Sequence, residues 1–280
     1  MSQKAVSDYY DYMLPFYRFF WHLDAVHYGF WESNTKSFKE SLLNTNKFLS
    51  EKAGLSKTDF VLDAGCGMGG SSIWIAKTLG AKVVGITLSK KQVEKATSLL
   101  KKSSIENLAN FSVMDYTKTT FSDETYDVVW AIESVCHTPD KSNFLREAHR
   151  ILKKGGRVIV GDGFLLREPR NEKERKIVDD FTDGFAIPRE NFYKNTIDNF
   201  EANMESSGFK KIKYWDKTPA VMHSSHRIYR LCSLFLPIAK VLNKLGLMKN
   251  VVVLTNKAGI AQYKAVKLGL GGYAVFYAEK

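Results

Sequence analysis

Two patterns of apolar positions alternate along the middle of the chain. Short runs of about four to six apolar residues, such as "FVLDAG" (60–65), "KVVGI" (82–86) and "YDVVWAI" (126–132), are separated by stretches with helical spacing. Runs of this length between helical segments are typical of parallel strands that are buried on both faces. Together with "ANFSVMD" (109–115) and "RVIVGDGF" (157–164), they predict a doubly wound α/β sheet.

The two ends of the chain depart from this alternation. Residues 1–58 have helical periodicity and predict an N-terminal helical cover, which precedes a core at 59–218. Residues 219–269 are mostly helical, and residues 270–280 predict the terminal strand of the core. An insertion before the last strand usually lies over the ligand crevice, so we expect 219–269 to form a helical cap.

The turn after the first predicted strand carries the first chemical signal. It reads "GCGMGG" and fits G-x-G-x-x-G through Gly65, Gly67 and Gly70. Glycine permits a sharp turn and a close approach of the backbone to a ligand, but nicotinamide and flavin enzymes use the same spacing. Asp63, two residues before the first glycine, is placed to reach an ammonium group through water.

The ends of the next two strands separate the candidate ligands. The second strand ends in Thr87, where a dinucleotide-binding protein would place an acid for the ribose. The third strand ends in Asp115 and Tyr116, which suit an adenine amino group and its ring. These features favour S-adenosylmethionine over a dinucleotide, and the chain has no metal-ligand spacing, so we expect no metal.

Three motifs resemble those of class I S-adenosylmethionine-dependent methyltransferases. They are "VLDAGCGMGG" (61–70), "SVMDY" (112–116) and "LKKGGRVIV" (152–160), the segment leading into the fifth strand. The resemblance implies S-adenosylmethionine as cofactor and a seven-stranded Rossmann-like sheet.

A closer resemblance links the chain to tocopherol, sterol and related small-molecule methyltransferases. It rests on "HYGFWE" (27–32), "GITLSKKQ" (85–92) and the stretch 131–156. It implies that Tyr28 contacts the cofactor, and that Thr87 and Leu88, with Gln92 nearby, hold the ribose.

The predicted acceptor site lies after the fourth strand. Glu133 and His137, in "IESVCHTP", are four residues apart, which predicts one face of a helical turn and a role in orienting the acceptor or accepting its proton. His22 and His27 are secondary base candidates. Residues 9–31 contain eleven aromatic residues and predict a cover over an apolar acceptor.

Charge adds a question about partners. The 280-residue chain carries a net charge of +11, and residues 209–269 hold twelve basic residues against one acid, Asp216. Such a region suits an anionic group on the acceptor, an anionic membrane surface or nucleic acid, although a solvated basic face explains it as well. The stretch "LCSLFLPIAKVLNKLG" (231–246) predicts an amphipathic helix that lies either on the protein core or on a membrane surface.

Several functional interpretations follow from the sequence. The favoured one is methyl transfer by in-line displacement to a small, largely apolar acceptor of isoprenoid, sterol-like, quinol-like or alkaloid-like type, with carbon slightly favoured. The alternatives are an RNA methyltransferase, a membrane-surface binding protein and a nicotinamide oxidoreductase. Nucleic acid is disfavoured because the Asn/Asp-Pro-Pro-aromatic motif is absent after the fourth strand. The polar start and the three unpaired cysteines predict a cytoplasmic protein, with peripheral membrane contact left open.

Overall fold

A computed structural model describes residues 3–20 and 25–280, apart from the side chains of residues 18–20. Its helices are α1 (Gln3–Phe20), α2 (Phe38–Lys52), α3 (Gly70–Leu79), α4 (Lys90–Leu100), α5 (Lys141–Ile151), α6 (Glu172–Gly184), α7 (Arg189–Phe192), α8 (Ile197–Ser206), α9 (Thr218–Lys244) and α10 (Asn250–Lys267). Its strands are β1 (Phe60–Ala64), β2 (Lys82–Thr87), β3 (Ala109–Val113), β4 (Tyr126–Ile132), β5 (Leu152–Leu165), β6 (Lys210–Asp216) and β7 (Gly271–Glu279).

In the described residues, seven strands form one sheet in the order β3-β2-β1-β4-β5-β7-β6. The strands from β3 to β5 run parallel, whereas β7 inserts antiparallel between β5 and β6. The predicted doubly wound, seven-stranded architecture is confirmed. The strand order reverses between β1 and β4, which is where an open α/β sheet leaves a crevice for ligands.

Local sequence signals set the element ends beside this crevice. Ser89 accepts a hydrogen bond from the backbone N–H of Gln92 at 3.0 Å and thereby caps the start of α4. Gly80 has a φ of +76° and ends α3, because glycine adopts this left-handed conformation without strain.

The inner strands of the sheet are buried on both faces, as their continuous apolar sequences predict. Alternate residues of β4 point to opposite sides: Val129 packs in one core with α5 and α8, and Trp130 packs in the other with α2 and α3. This double coverage leaves the carboxyl ends of the strands as the accessible edge.

Helices from both ends of the chain meet near that edge. Tyr9 and Met13 of α1 form an apolar cluster with Ala239 of α9 and Val252 of α10. The predicted cap, 219–269, spans α9 and α10, and the predicted N-terminal cover includes α1, while the division into cover, core and cap stays a prediction. Within residues 3–20 and 25–280, no helix has the length and apolar character needed to cross a membrane.

Candidate active site

A cleft of about 100 Å³ lies at the carboxyl ends of β1, β2 and β4. Its lining includes nine of the predicted site residues: Asp63, Gly65, Gly67, Thr87, Leu88, Gln92, Tyr116, Glu133 and His137. The structure therefore brings most of the predicted cofactor residues and both predicted catalytic residues together. Tyr28 and Asp115 do not line this cleft.

Glycine is needed at two positions of the turn for different structural reasons. Gly65 has a φ of +91°, and a Cβ at this position would clash with Ser134. Gly67 has a φ of +52°, and a Cβ there would meet no atom within 4 Å. Since Gly67 lines the cleft, a side chain at this position would project into the space that a ligand needs.

Asp63 supplies a buried carboxylate to the cleft. Its Oδ2 accepts a hydrogen bond from the hydroxyl of Ser72 at 2.5 Å. Burial raises the pKa of Asp63 to about 7, although the bond from Ser72 opposes the rise. A cationic group in the cleft would favour the charged form of this carboxylate.

Helix α1 contacts the side of the cleft that is formed by the ends of β2 and β3. The Ser7 hydroxyl donates to the Leu88 carbonyl at 3.2 Å. The Asp115 carboxylate accepts a hydrogen bond from the Gln3 side-chain amide. Thr87 and Gln92 are buried and bonded to each other, with 2.6 Å between Oγ1 and Oε1.

A second, apolar cavity of about 190 Å³ adjoins the cleft. Its lining comes mainly from α1, α9 and α10, together with Phe181 of α6 and residues that follow that helix, and includes Met13, Phe16, Phe181, Phe185, Ile187, Phe192, Ile228, Leu231, Phe235 and Val252. No lysine or arginine occurs among the described residues that line it. The acidic side chains of the lining are Glu133 and Asp162, and burial raises the pKa of both.

The two cavities share four lining residues: Tyr10, Val26, Glu133 and His137. Glu133 follows β4 with a φ of +48°, and a short 3-10 turn, Val135–His137, comes next. The predicted single helical face is therefore wrong, because a left-handed residue interrupts the helical spacing. Glu133 and His137 nevertheless both line the place where the cleft and the apolar cavity meet, which we call the junction.

Burial raises the pKa of Glu133 to about 8. The Tyr28 backbone N–H donates to its Oε1 at 2.7 Å and opposes this rise, whereas the nearby Asp162 adds to it. A carboxyl group with this pKa can exchange a proton near neutral pH.

His137 is fixed by hydrogen bonds at both ring nitrogens. Nδ1 lies 3.1 Å from the Ala186 carbonyl, so this nitrogen carries the proton. Nε2 is then the acceptor for the Tyr10 hydroxyl at 2.7 Å. Burial lowers the pKa of His137 to about 4, so the ring is neutral at ordinary pH and orients Tyr10.

Three further predicted residues have different placements. The Tyr28 side chain lines the apolar cavity and donates from its hydroxyl to Gln262 Oε1 at 2.8 Å. His27 lines the cofactor cleft, with Nδ1 2.9 Å from the Tyr28 carbonyl. His22 lies outside the described residues.

Sequence reasoning did not single out Tyr10 or Asp162. Tyr10 belongs to the aromatic stretch that predicted a cover, but the number of aromatics does not reveal which one reaches His137. Asp162, in the fifth strand, accepts the backbone N–H of Cys136 at 2.8 Å and so fixes the loop that carries His137.

Comparison with known proteins identifies the family. Residues 62–160 match the family model described as a methyltransferase domain. Methyltransferase GfsG of Streptomyces halstedii is 31% identical over 215 residues, which cover 76% of this chain and 75% of GfsG. This chain belongs to the S-adenosylmethionine-dependent methyltransferases. The predicted enzyme class and cofactor are confirmed.

The resemblance to sterol methyltransferases is also confirmed. Sterol 24-C-methyltransferase ERG6 of Saccharomyces cerevisiae is 31% identical over 188 residues, which cover 66% of this methyltransferase and 49% of the yeast enzyme. The chain thus spans about half the length of that relative. Among solved structures, the cyclopropane synthase MmaA2 of Mycobacterium tuberculosis has the same fold, with a TM-score of 0.83 at 18% identity, covering 100% and 99% of the two chains.

Proposed function

We propose that this methyltransferase transfers a methyl group to a small, largely apolar acceptor that occupies the cavity between α1, α6, α9 and α10. The observation that carries the proposal is the junction at Tyr10, Glu133 and His137, where the polar cleft adjoins the apolar cavity. A donor in one cavity and an acceptor in the other would be held side by side, which is what in-line displacement requires.

The cleft residues account for cofactor binding in this proposal. Asp63 would hold the ammonium group, Gly65 and Gly67 would admit the ligand close to the backbone, and Tyr116 would pack near the adenine. Thr87, Leu88 and Gln92 would hold the ribose, with Asp115 at the adenine edge. The bound cofactor supplies an already activated methyl group, so the chain's main tasks are alignment and exclusion of water.

The cavity lining favours an acceptor of isoprenoid, sterol-like or quinol-like type. Aromatic and aliphatic side chains dominate the lining, and ERG6, a relative, is a sterol 24-C-methyltransferase. Because the described lining holds carboxyl groups and no lysine or arginine, an anionic group on the acceptor would have no basic partner inside the cavity. Aromatic faces and carboxylates instead suit a cationic intermediate or a cationic nitrogen of the acceptor. The slight preference for a carbon acceptor rests on the resemblance to sterol methyltransferases.

Glu133 is the proposed proton acceptor. It lies at the junction, and its raised pKa makes its deprotonated form, which a bound sulfonium would favour, a stronger base than an ordinary carboxylate. His137 already accepts a hydrogen bond from Tyr10 at Nε2, so it is proposed to orient rather than to deprotonate.

The proposal is tested by incubating the protein with isotope-labelled S-adenosylmethionine and separate sterol, prenyl-hydroquinone, polyprenyl, alkaloid and RNA substrates. Mass spectrometry then identifies the labelled product. The expected result is label in a small apolar product. Label in RNA alone would overturn the proposal in favour of the RNA methyltransferase alternative.

A further inference from the structure

The second half of α9 and the loop that follows it expose a stripe of aliphatic side chains. Their exposed fractions are 73% for Leu234, 52% for Ile238, 59% for Val241, 66% for Leu245 and 73% for Leu247. The first four recur at helical spacing, within an arc of about 60° around the helix. We call these five residues the aliphatic stripe. Leaving this much adjacent apolar surface in water is unfavourable and marks an interaction site.

Exposed lysines border the aliphatic stripe. Lys240, Lys244 and Lys249 are exposed, and Lys249 lies with Nζ 4.8 Å from the centre of the Tyr12 ring of α1. The sequence contains no acidic residue between Asp216 and Glu279. The segment that carries the stripe is therefore basic and complements an anionic partner.

The same helix also lines the apolar cavity. Ile228, Leu231, Cys232 and Phe235 of α9 contribute to its lining. Viewed along the helix axis, Leu231 lies about 60° from Leu234, between the aliphatic stripe and the other three cavity-lining residues. A lipid layer that contacts the stripe would thus lie next to the face of α9 that lines the acceptor cavity.

We infer that the aliphatic stripe and its bordering lysines dock this methyltransferase onto an anionic lipid surface, from which the apolar acceptor passes into the cavity. Bare aliphatic side chains without polar partners suit the acyl region of a lipid layer, and lysines suit its anionic headgroups. The inference rests on the proposed function for the nature of the acceptor, but the docking itself does not need the acceptor to be present.

The test is co-sedimentation of the full chain with phosphatidylcholine vesicles, with and without phosphatidylserine. The wild-type protein is expected to bind the vesicles that contain phosphatidylserine, and to bind less as salt is raised. Leu234→Glu should weaken binding about tenfold or more, because it removes an inserted leucine and adds a negative charge. Lys240→Gln and Lys244→Gln should each weaken it about fivefold.

Leu268→Glu is the matched control. Leu268 is 46% exposed and lies in the same basic region. It follows the last residue of α10, whereas the loop at 245–249 precedes the first, and the helix between them is about 27 Å long. The Leu268→Glu substitution introduces the same negative charge as Leu234→Glu, but at a site outside the stripe, so vesicle affinity should stay at the wild-type level. Equal losses in Leu234→Glu and Leu268→Glu would overturn the stripe as the docking surface.

Two other results would overturn the inference. If the wild-type protein does not bind phosphatidylserine vesicles, the stripe must instead contact another protein. A wild-type dimer seen by light scattering, which Leu234→Glu dissociates, would identify a second copy of this chain as that occupant. Calorimetric binding of S-adenosylhomocysteine is measured on the same samples, because its absence would count against the proposed function and not against the docking.

Discussion

The cofactor cleft and the apolar cavity are neighbours, but they are built in opposite ways. The cleft is formed mainly by strand ends and the turns that follow them, where special residues such as Gly67 and Asp63 are required. The cavity is formed mainly by helices that are distant in sequence, each contributing ordinary apolar side chains. A site that needs special residues can therefore be recognised from a few positions in the sequence, whereas an apolar site appears only after the chain has folded.

Gly67→Val should have the largest effect, on the cofactor side alone. The new side chain would project into the cleft, so binding of S-adenosylhomocysteine should fall below detection by calorimetry. Gly54→Val is the matched control, because Gly54 has a φ of +57°, its Cβ would also meet no atom within 4 Å, and it lies outside the cleft. Equal effects of the two variants on cofactor affinity would show that backbone strain, and not occupation of the cleft, is responsible.

Glu133→Gln should act on the chemical step. The turnover number should fall about hundredfold, because a glutamine cannot accept the proton, while cofactor affinity changes little. Rate assays and calorimetry on the same variant check this. Equal losses of turnover and cofactor affinity would show that Glu133 is structural.

The pH dependence of the wild-type enzyme gives the same residue a second test. Burial raises the pKa of Glu133 from 4.5 to about 8, so the active, deprotonated form gains population as pH rises. The specificity constant kcat/KM should therefore increase through about pH 8 and then level off. A bound sulfonium would favour the carboxylate, so the corresponding rise in kcat should lie at lower pH. A profile that stays unchanged in Glu133→Gln would assign the titration to another group.

Tyr10→Phe should have a smaller effect at the junction. It keeps the ring but removes the hydroxyl that bonds to His137, so kcat should fall about tenfold with cofactor affinity preserved. Tyr9→Phe is the control, because the Tyr9 hydroxyl bonds to Tyr17 at 2.6 Å and Tyr9 lines neither cavity. A larger loss in Tyr9→Phe would place the effect in the packing of α1.

Phe185→Ala should have the smallest effect, and on the acceptor side alone. Removing the ring loosens the cavity wall, so KM for the acceptor should rise about fivefold, while the dissociation constant of the cofactor stays unchanged. Steady-state kinetics with each substrate varied in turn check this. A parallel rise in both constants would show that the cavities are not separable.

The parts of the molecule that the sequence revealed are those with local rules. The existence and order of the strands and the glycine turn each follow from a few neighbouring residues, and they agree with the structure, although the fifth strand begins at Leu152, before its predicted start at Arg157. The left-handed backbone at Glu133 was not predictable, since a glutamate rarely adopts it and nothing nearby signals it. The contact between Tyr10 and His137 joins residues 127 positions apart, so it depends on how α1 packs over the folded core.

The central claim is that the cofactor cleft and the acceptor cavity meet at Tyr10, Glu133 and His137. A crystal structure with S-adenosylhomocysteine tests it most directly. The ligand is expected at the end of β1, with its sulfur facing this junction and the apolar cavity beyond it. A ligand bound elsewhere, or one whose sulfur is separated from Glu133 and His137 by other side chains, would show that the two cavities do not form one active site.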